Sequence, residues 1–412
     1  MNYIVLSLLV LSPIKSVISG NIFEAVKDQN LPLKQNDATV NNFTQVTRKL
    51  GYETTVFEVT TEDGYISKMF RMHNPNCTEI KKKPIMLIHG LLESADAYLD
   101  LGPGAGLGYL TSDACYDVWF PNIRGNYYAR AHKTLNPDTD REFWRFYGQE
   151  MAVYDIPAFI DFVLDKTGQK QLNLVTFSLS GGLFFMTTSD KPEYNDKVSL
   201  YIPLAPATRL KHSKSTLLRL LATGGSILDT LKPVTRLGEE ILYRGSGVQS
   251  LMELLCSLPN VLKGPQTVCS GFIGLLDSFH PGSISAETDS RVYFHFPAGT
   301  SLKTLSWLGQ LIEKKTYQKF DYGAKKNMEL YQCETAPHYD VSKMTVPTVT
   351  FHGKHDHLVD SRDMKWLLRQ MPNVLEYVVV DDPLWNHLDM VHGSDAPKLV
   401  YAKIMDYLKK YE

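Results

Sequence analysis

Continuous apolar runs alternate with segments of helical periodicity along most of the chain. Several runs are apolar throughout, as expected of strands that are buried on both faces of a sheet. The runs lie at residues 84–90, 115–122, 172–177, 198–206, 345–353 and 375–382. Strands that alternate with helices predict an α/β fold with a mostly parallel central sheet flanked by helices.

Three other segments add detail to this pattern. Residues 150–166 place apolar side chains at helical spacing, and residues 361–370 open with a serine that is typical of a helix N-cap. Residues 54–72 predict a hairpin that turns at Asp63 and Gly64. This hairpin would add antiparallel strands at one edge of the sheet.

The alternation stops between residues 208 and 330, where the chain becomes helical, leucine-rich and interrupted by Gly and Pro. Strand-like runs resume after this segment. We therefore interpret 208–330 as a helical insertion into a core formed by residues 21–207 and 331–412. A length of 412 residues agrees with one domain that carries a substantial insertion, or with two domains.

The first 20 residues have the composition of a secretory signal peptide. An apolar stretch of about a dozen residues, too short to span a bilayer, is followed by small and polar residues. A buried N-terminal helix is the alternative, because the first residues carry no Lys or Arg before the apolar stretch. The rest of the sequence contains no apolar run long enough for a transmembrane helix.

Sequons and cysteines also bear on whether the protein enters the secretory route. The N-x-T sequons at Asn42 and Asn76 are glycosylation candidates and fit a secretory route. Five cysteines leave at least one unpaired if disulfides form. We expect Cys256 and Cys269, the nearest pair in sequence, to form a disulfide, and Cys115, which lies in an apolar run, to be a buried thiol.

The overall charge argues against nucleic acid as a partner. The formal net charge is −2, and basic residues form only short runs. Phosphate binding needs concentrated Lys and Arg, which this chain does not provide.

Three polar residues follow strand-like runs, at the positions where open α/β sheets assemble their active sites. They are Ser178, Asp356 and His387. A nucleophilic serine needs a base and an acid that orients this base, and the order Ser, Asp, His is the order of α/β-hydrolases. These residues predict a hydrolytic triad, and the alternative for Ser178 is a serine that caps a helix.

An oxyanion hole would complete this site. Its backbone N–H groups should come from the residue after the nucleophile and from the loop after an early strand. The sequence offers the N–H groups of Leu179 and Leu91 for these positions, and Gly90 allows close approach of the backbone.

A metal site is the competing interpretation of one segment. Three histidines flank or neighbour Asp356, at positions 352, 355 and 357. We favour the triad, because Asp356 has a role there and residues 355 and 357 alternate along an extended chain. We expect neither a metal nor an organic cofactor.

Short segments in a fixed order carry a family resemblance over residues 40 to 408. They are TTEDGYI (60–66), HGLLESADAY (89–98), YDVWFPNIRGNYYARAH (116–132), EMAVYDIPAFIDFVL (150–164), LAPAT (204–208), PAGTSLKTLSWLGQLI (297–312), FDYG (320–323), YDVSKMTVP (339–347), MPNVLEYV (371–378) and NHLDMVHGSDAPKLVY (386–401). Together they resemble the acid lipase family of the α/β-hydrolases, which includes gastric and lysosomal acid lipases and many insect digestive lipases.

The resemblance implies several expectations. The fold would be an α/β-hydrolase fold, with residues 208–330 as a helical cap over the active site. The activity would be hydrolysis of ester bonds in neutral lipids, such as triacylglycerol or sterol ester. The partner would be a lipid ester substrate or a lipid–water interface. The protein would be secreted, with lysosomal delivery as the alternative, while its oligomeric state stays open.

The turn at Ser178 departs from the family. The family sequence V-G-H-S-Q-G is replaced by Val-Thr-Phe-Ser-Leu-Ser at residues 175–180, so Thr176 and Ser180 stand where the family has glycines. Glycine is usual there because the turn brings these two positions close together. A register shifted by two residues would make Ser180 the nucleophile. A second hypothesis follows, in which the chain is a lipid-binding or storage protein that has lost the reaction.

Overall fold

The computed structural model describes four stretches of the chain, residues 42–80, 83–222, 235–246 and 276–412. The predicted signal peptide and the predicted disulfide between Cys256 and Cys269 lie outside the described residues. Within the described stretches, no helix combines the length and the apolar character that a membrane crossing requires.

The strands form one large sheet and one small one. In chain order they are β1 (Glu53–Thr60), β2 (Tyr65–His73), β3 (Ile85–Ile88), β4 (Val118–Pro121), β5 (Ala131–His132), β6 (Leu172–Phe177), β7 (Val198–Leu204), β8 (Glu240–Ile241), β9 (Thr300–Ser301), β10 (Thr348–His352) and β11 (Val374–Val379). The nine-stranded sheet has the order β1-β2-β4-β3-β6-β7-β10-β11, and β5 pairs with β2. In this sheet the neighbours β4-β3-β6-β7-β10-β11 pair in parallel, whereas β1, β2 and β5 add antiparallel pairs. Strands β8 and β9 form the small antiparallel sheet. The predicted α/β fold with a mostly parallel sheet is confirmed.

The central strands are buried on both faces, as their continuous apolar runs predict. Every residue of β3, β6, β7 and β10 is buried. Alternate side chains of β3 enter two different hydrophobic clusters: Met86 and Ile88 pack in one, and Ile85 and Leu87 pack in the other. Because side chains alternate along a strand, these clusters lie on opposite faces of the sheet.

The described helices flank the sheet and also occur in the segment between β7 and β10. They are α1 (Phe43–Lys49), α2 (Leu107–Asp113), α3 (Gly148–Glu150), α4 (Ile156–Thr167), α5 (Leu179–Asp190), α6 (Thr216–Leu221), α7 (Ala286–His295), α8 (Leu302–Lys314), α9 (Ala324–Tyr331), α10 (Ser361–Gln370), α11 (Asp389–His392) and α12 (Ala402–Lys410). The described stretches also contain 3₁₀ turns and two π-helical segments, at Ala95–Leu99, Arg141–Trp144, Met151–Asp155, Pro192–Lys197, Val341–Lys343 and Pro397–Tyr401.

Local sequence signals set several element ends. The hairpin turns at Gly64, whose φ of 97° suits glycine. Helix α10 begins at Ser361, but its N-cap is Asp360, whose side chain accepts from the Arg362 N–H. The predicted N-cap position was wrong by one residue. Asp is as good an N-cap as Ser, and Asp360 directly precedes Ser361.

The segment between β7 and β10 contains α6 to α9 and the small β8–β9 sheet. It is joined to the core by specific contacts. The Tyr317 hydroxyl donates to the Gly182 carbonyl at 2.6 Å, and the Ala298 N–H donates to the Leu92 carbonyl at 2.6 Å. The division into core residues 21–207 and 331–412 and a cap at 208–330 stays a prediction.

Cys115 was expected to be a buried thiol, and this expectation is wrong. Cys115 forms a disulfide with Cys77, with a Cα–Cα distance of 5.5 Å. The two residues are 38 positions apart, and antiparallel pairing of β2 with β4 brings their neighbouring segments together. Cys333 is free and exposed.

The disulfide gives a stability prediction. Replacing both Cys77 and Cys115 by Ala frees a loop of 38 residues in the unfolded chain, which should lower the free energy of unfolding by about 4 kcal/mol. Urea unfolding of the double variant measures this loss. Cys333→Ala is the matched control and should change stability by less than about 0.5 kcal/mol. A double variant as stable as this control would contradict the prediction.

Candidate active site

The turn between β6 and α5 holds Ser178 in a strained backbone conformation. Ser178 has φ 53° and ψ −112°, which a non-glycine residue rarely adopts. Its backbone carbonyl accepts from the N–H groups of Gly181, Gly182 and Ala207, and its own N–H donates to the Leu204 carbonyl at 2.9 Å. The Ser178 side chain makes no capping hydrogen bond, so this serine does not act as an N-cap for α5.

Thr176 is accommodated by a hydrogen bond on the core side of the turn. The side chain is fully buried, and its hydroxyl donates to the Tyr201 hydroxyl at 3.2 Å. Tyr201 in turn donates to the Gly181 carbonyl at 2.8 Å. The hydroxyl that replaces the family glycine is therefore paired, which removes the main cost of burying it.

Ser180 is also fully buried, and its hydroxyl points into the sheet. Its Oγ accepts from the Phe177 N–H at 3.0 Å and lies 2.9 Å from the Ile88 carbonyl and 3.0 Å from the Phe177 carbonyl. This hydroxyl is committed to backbone groups. The geometry argues against the shifted register in which Ser180 would be the nucleophile.

The tight approach in this turn falls on the next two residues, which are glycines. A Cβ atom on Gly182 would lie 2.0 Å from the Ala207 carbonyl oxygen, and one on Gly181 would lie 2.7 Å from Pro206 Cβ. Glycine is thus required where α5 packs against the loop after β7. Positions 181 and 182 therefore require glycine more strictly than positions 176 and 180, where the family glycines are replaced.

The loops after β10 and β11 bring Asp356 and His387 together. His387 Nδ1 lies 2.7 Å from Asp356 Oδ2, and the Val359 N–H donates to the other oxygen of this carboxylate at 2.7 Å. His387 is buried, and its Nε2 is without a hydrogen-bond partner among the described residues. The imidazole is therefore oriented through Nδ1, and its second nitrogen is available.

The turn at residues 175–180, called the elbow below, lies next to His387. The rings of Phe177 and His387 lie 5.0 Å apart, and Phe177 directly precedes Ser178. Burial alone would lower the pKa of His387, but the carboxylates of Asp356, Asp277 and Glu93 outweigh this effect and raise it.

An apolar cavity opens at the elbow. Together with the open solvent at its mouth, it comprises about 780 Å³. Ser178, Leu91 and Leu179 line it, and in the described stretches neither the Leu91 N–H nor the Leu179 N–H donates to another group. Most of the remaining lining is leucine and phenylalanine from both the core and the segment between β7 and β10, namely Leu92, Phe177, Leu210, Leu217, Leu218, Leu242, Leu276, Phe296, Leu305, Leu308, Leu358 and Leu388.

Two family models match the chain. The family described as "Partial alpha/beta-hydrolase lipase region" covers residues 43–101, and "alpha/beta hydrolase fold" covers residues 83–223. A lysosomal acid lipase/cholesteryl ester hydrolase of Macaca fascicularis is 33% identical over 408 residues, which span 98% of this chain and 97% of that protein. The chain belongs to the acid lipase family.

Further comparisons agree with this family. The human gastric triacylglycerol lipase is 32% identical over 374 residues, which span 90% of this chain and 91% of that protein. A crystal structure of a candidate lipase from Sulfolobus solfataricus has a TM-score of 0.57 at 14% identity and covers 88% of this chain and 95% of that one, which supports the α/β-hydrolase fold alone. The expected serine ester hydrolase class is confirmed by family and fold.

The histidines around Asp356 have other partners in this hydrolase. His352 Nε2 lies 2.8 Å from the Val359 carbonyl, and the His355 and His357 rings contact each other. Across the described stretches, three or more His, Cys, Asp or Glu side chains are nowhere grouped so that they could hold a metal ion.

Two buried acids beside the site were missed by the sequence analysis. Asp277, in the segment between β7 and β10, accepts from the His387 N–H at 2.6 Å and the His357 N–H at 2.9 Å. Burial, followed by repulsion from Asp356, raises the pKa of Asp277 to about 7. Glu93 accepts from the Gly90 N–H at 2.8 Å, within the loop that carries Leu91. Asp277 lies in the segment without strand-like runs, so no sequence signal distinguished it. Glu93 follows the predicted strand at 84–90, but its loop was considered only for its backbone N–H groups.

Glu93 belongs to a buried acidic cluster that continues away from the elbow. Its Oε1 lies 3.1 Å from His392 Nε2, and His392 Nδ1 lies 3.7 Å from Asp100 Oδ2. Burial raises the pKa of Asp100 to about 6, and burial also raises that of Asp289, on α7, to about 6. Burial would lower the pKa of His392, but Glu93 and Asp100 raise it.

From the raised pKa values in this cluster we predict that its contribution to the free energy of unfolding is larger at acid pH. The pKa of Asp100 is about 6 in the folded state, above its ordinary value of 3.8, so its contribution is full below about pH 4 and is lost as the pH rises through 6. Because Asp100→Asn does not titrate, its free energy of unfolding relative to wild type should rise by up to about 3 kcal/mol when the pH is raised from about 4 to about 7. Urea unfolding at both pH values measures the change.

Asp360→Asn is the control for this experiment. The pKa of Asp360 is lowered to about 2, where the hydrogen bonds from Arg362 outweigh burial, so its contribution is lost only as the pH falls below about 4. The stability difference between this variant and wild type should stay constant from pH 4 to pH 7. A constant difference for Asp100→Asn as well would contradict the account of the cluster.

Proposed function

We propose that the protein is a lipase that hydrolyses carboxylic ester bonds of neutral lipids, triacylglycerol or sterol ester, through Ser178, His387 and Asp356. The observation that carries the proposal is the oriented His387 imidazole, with its unpaired Nε2, beside an apolar cavity lined by Ser178. Relatives named lysosomal acid lipase/cholesteryl ester hydrolase and gastric triacylglycerol lipase support this substrate class.

The geometry supports a two-step acyl transfer. His387 Nε2 takes the proton of the Ser178 hydroxyl as the oxygen attacks the ester carbonyl, and Asp356 holds the imidazole by its Nδ1–H and stabilises the imidazolium. The Leu91 and Leu179 N–H groups stabilise the oxyanion. Collapse transfers the proton to the leaving alcohol. Water then attacks the acyl-enzyme with the same base and releases the fatty acid.

The cavity suits the acyl part of such a substrate. Its lining is predominantly apolar, with Ser178 and Glu93 as its polar side chains, and a fatty chain would replace the water that such a surface holds poorly. Trp307 and Leu311 on α8 are buried as core residues, whereas Leu308 on the same helix lines the cavity. We propose that this face of α8 contacts the lipid.

We further propose a secreted or lysosomal location. The apolar N-terminal stretch, the Cys77–Cys115 disulfide and the relatives named gastric and lysosomal support it. Asn76 is exposed and open to glycosylation. Asn42 is the N-cap of α1, and its Oδ1 accepts from the Gln45 N–H.

The test is ester hydrolysis by matched serine variants. Ser178→Ala should lower kcat for a long-chain triacylglycerol or cholesteryl ester by at least about 10⁴-fold, because it removes the nucleophile. Ser180→Ala is the control, because it removes a hydroxyl two residues away that bonds only to backbone. It should retain turnover and lose about 1–3 kcal/mol of unfolding free energy. Equal turnover by wild type and Ser178→Ala would overturn the assignment.

A lipid-binding or storage protein is the second candidate, and the replaced elbow glycines favour it. The double variant Thr176→Gly/Ser180→Gly discriminates between the two. If the elbow is impaired, this variant should raise kcat from background by at least about tenfold, because the crowding is relieved. On the lipase account, the hydroxyls are paired and the variant should be less stable and no faster.

A further inference from the structure

We propose that Asp277 is a positioning residue, whose carboxylate fixes the two loops that carry Asp356 and His387 relative to each other through their backbone N–H groups. The inference rests on the proposed roles of these two residues. It gives the segment between β7 and β10 a direct part in the arrangement of the site, in addition to lining the cavity.

Both oxygens of the Asp277 carboxylate accept from backbone donors of the site. Asp277 Oδ1 accepts from the His357 N–H at 2.9 Å, next to Asp356, while Oδ2 accepts from the N–H groups of His387 at 2.6 Å and Leu388 at 3.3 Å. One carboxylate thus bridges a loop that follows β10 and a loop that follows β11. Above about pH 7, where Asp277 is ionised, these bonds are charge-assisted and therefore stronger than those between neutral groups.

The Asp277 carboxylate is also buried. Asp277 is 2% exposed, so its bonds are not weakened by competing water. An ionised carboxylate is costly to bury unless its oxygens are paired, and here backbone donors from the site itself provide the pairing. These hydrogen bonds offset the free-energy cost of burying the carboxylate only when both loops are in place.

Neighbouring residues extend the same connection. The Ser278 hydroxyl donates to the His355 carbonyl at 2.5 Å, and Asn386 Nδ2 donates to the Ser278 carbonyl at 2.8 Å. Two residues further along, His280 Nδ1 lies 2.6 Å from Asp389 Oδ2. Residues 277–280 therefore contact the flanks of both proposed triad members, and Asp277 is the contact closest to them.

The expected consequence concerns the base rather than the substrate. If the two loops shift apart, the His387–Asp356 bond loosens and Nε2 moves from the position needed for proton transfer, for which a displacement on the order of 1 Å costs up to ~10²-fold in rate. The apolar contacts that bind the acyl chain stay in place. The predicted signature is a lower kcat with little change in KM.

Asp277→Asn tests the proposal in the full-length protein. The amide keeps the size of the side chain but presents an NH₂ group to one of the backbone donors, which breaks the bridge. We expect kcat to fall at least about tenfold, with KM within about twofold of wild type. We also expect the low-field proton resonance of His387 Nδ1–H to shift or broaden, because the bond to Asp356 is less well fixed.

Asp363→Asn is the matched control. Asp363 is equally buried and also joins the segment after β7 to the core, since it accepts from the His212 N–H at 2.7 Å and pairs with Arg209, but its side chain bonds to neither proposed triad loop. It should lose thermal stability while keeping kcat within about twofold and the His387 resonance unchanged. If Asp277→Asn behaves like this control, the proposal is overturned.

Two further arms keep the test decisive. If Asp277→Asn does not fold, Ser278→Ala removes only the bond to the His355 carbonyl. A drop in kcat of about two- to fivefold at unchanged thermal stability would support the proposal, and wild-type kcat would overturn it. If wild type itself hydrolyses no ester, the proposed function fails, yet the His387 resonance in wild type and Asp277→Asn still reports on the positioning role.

Discussion

The backbone carbonyl of Ser178 is the group on which the site depends. It accepts three N–H groups, two from the first turn of α5 and one from the loop after β7, and so holds a non-glycine residue at positive φ. Such a conformation persists only when surrounding bonds fix it. The parallel pairing of β6 with β7 supplies that frame, because it brings the ends of both strands to the same edge of the sheet.

The same frame explains how the elbow accepts two hydroxylated residues in place of glycines. The Thr176 hydroxyl reaches Tyr201 on β7, and the Ser180 hydroxyl reaches backbone groups of β3 and β6. The two hydroxyls therefore bond to different strands, and each has its own hydrogen-bond partner in the core. The steric demand for glycine falls instead on Gly181 and Gly182, where α5 contacts the β7 loop.

Local signals in the sequence were sufficient for most of the sheet, because a fully buried strand such as β6 reads as a continuous apolar run. They also placed Ser178, Asp356 and His387 after the strands that carry them. Partners far apart in sequence were beyond that reasoning. Cys115 pairs with a residue 38 positions away, and Asp277 bonds to residues 80 and 110 positions away from a segment with no strand pattern. Only the folded chain shows that these groups meet.

The central claim is that a turn without its usual glycines presents Ser178 as the nucleophile while Ser180 is held in the core. Labelling the intact protein with a fluorophosphonate, followed by mass-spectrometric mapping of the modified peptide, tests this most directly. The account predicts a single adduct on Ser178, lost in His387→Ala and retained in Ser180→Ala. An adduct on Ser180, or no adduct on either serine, would contradict it.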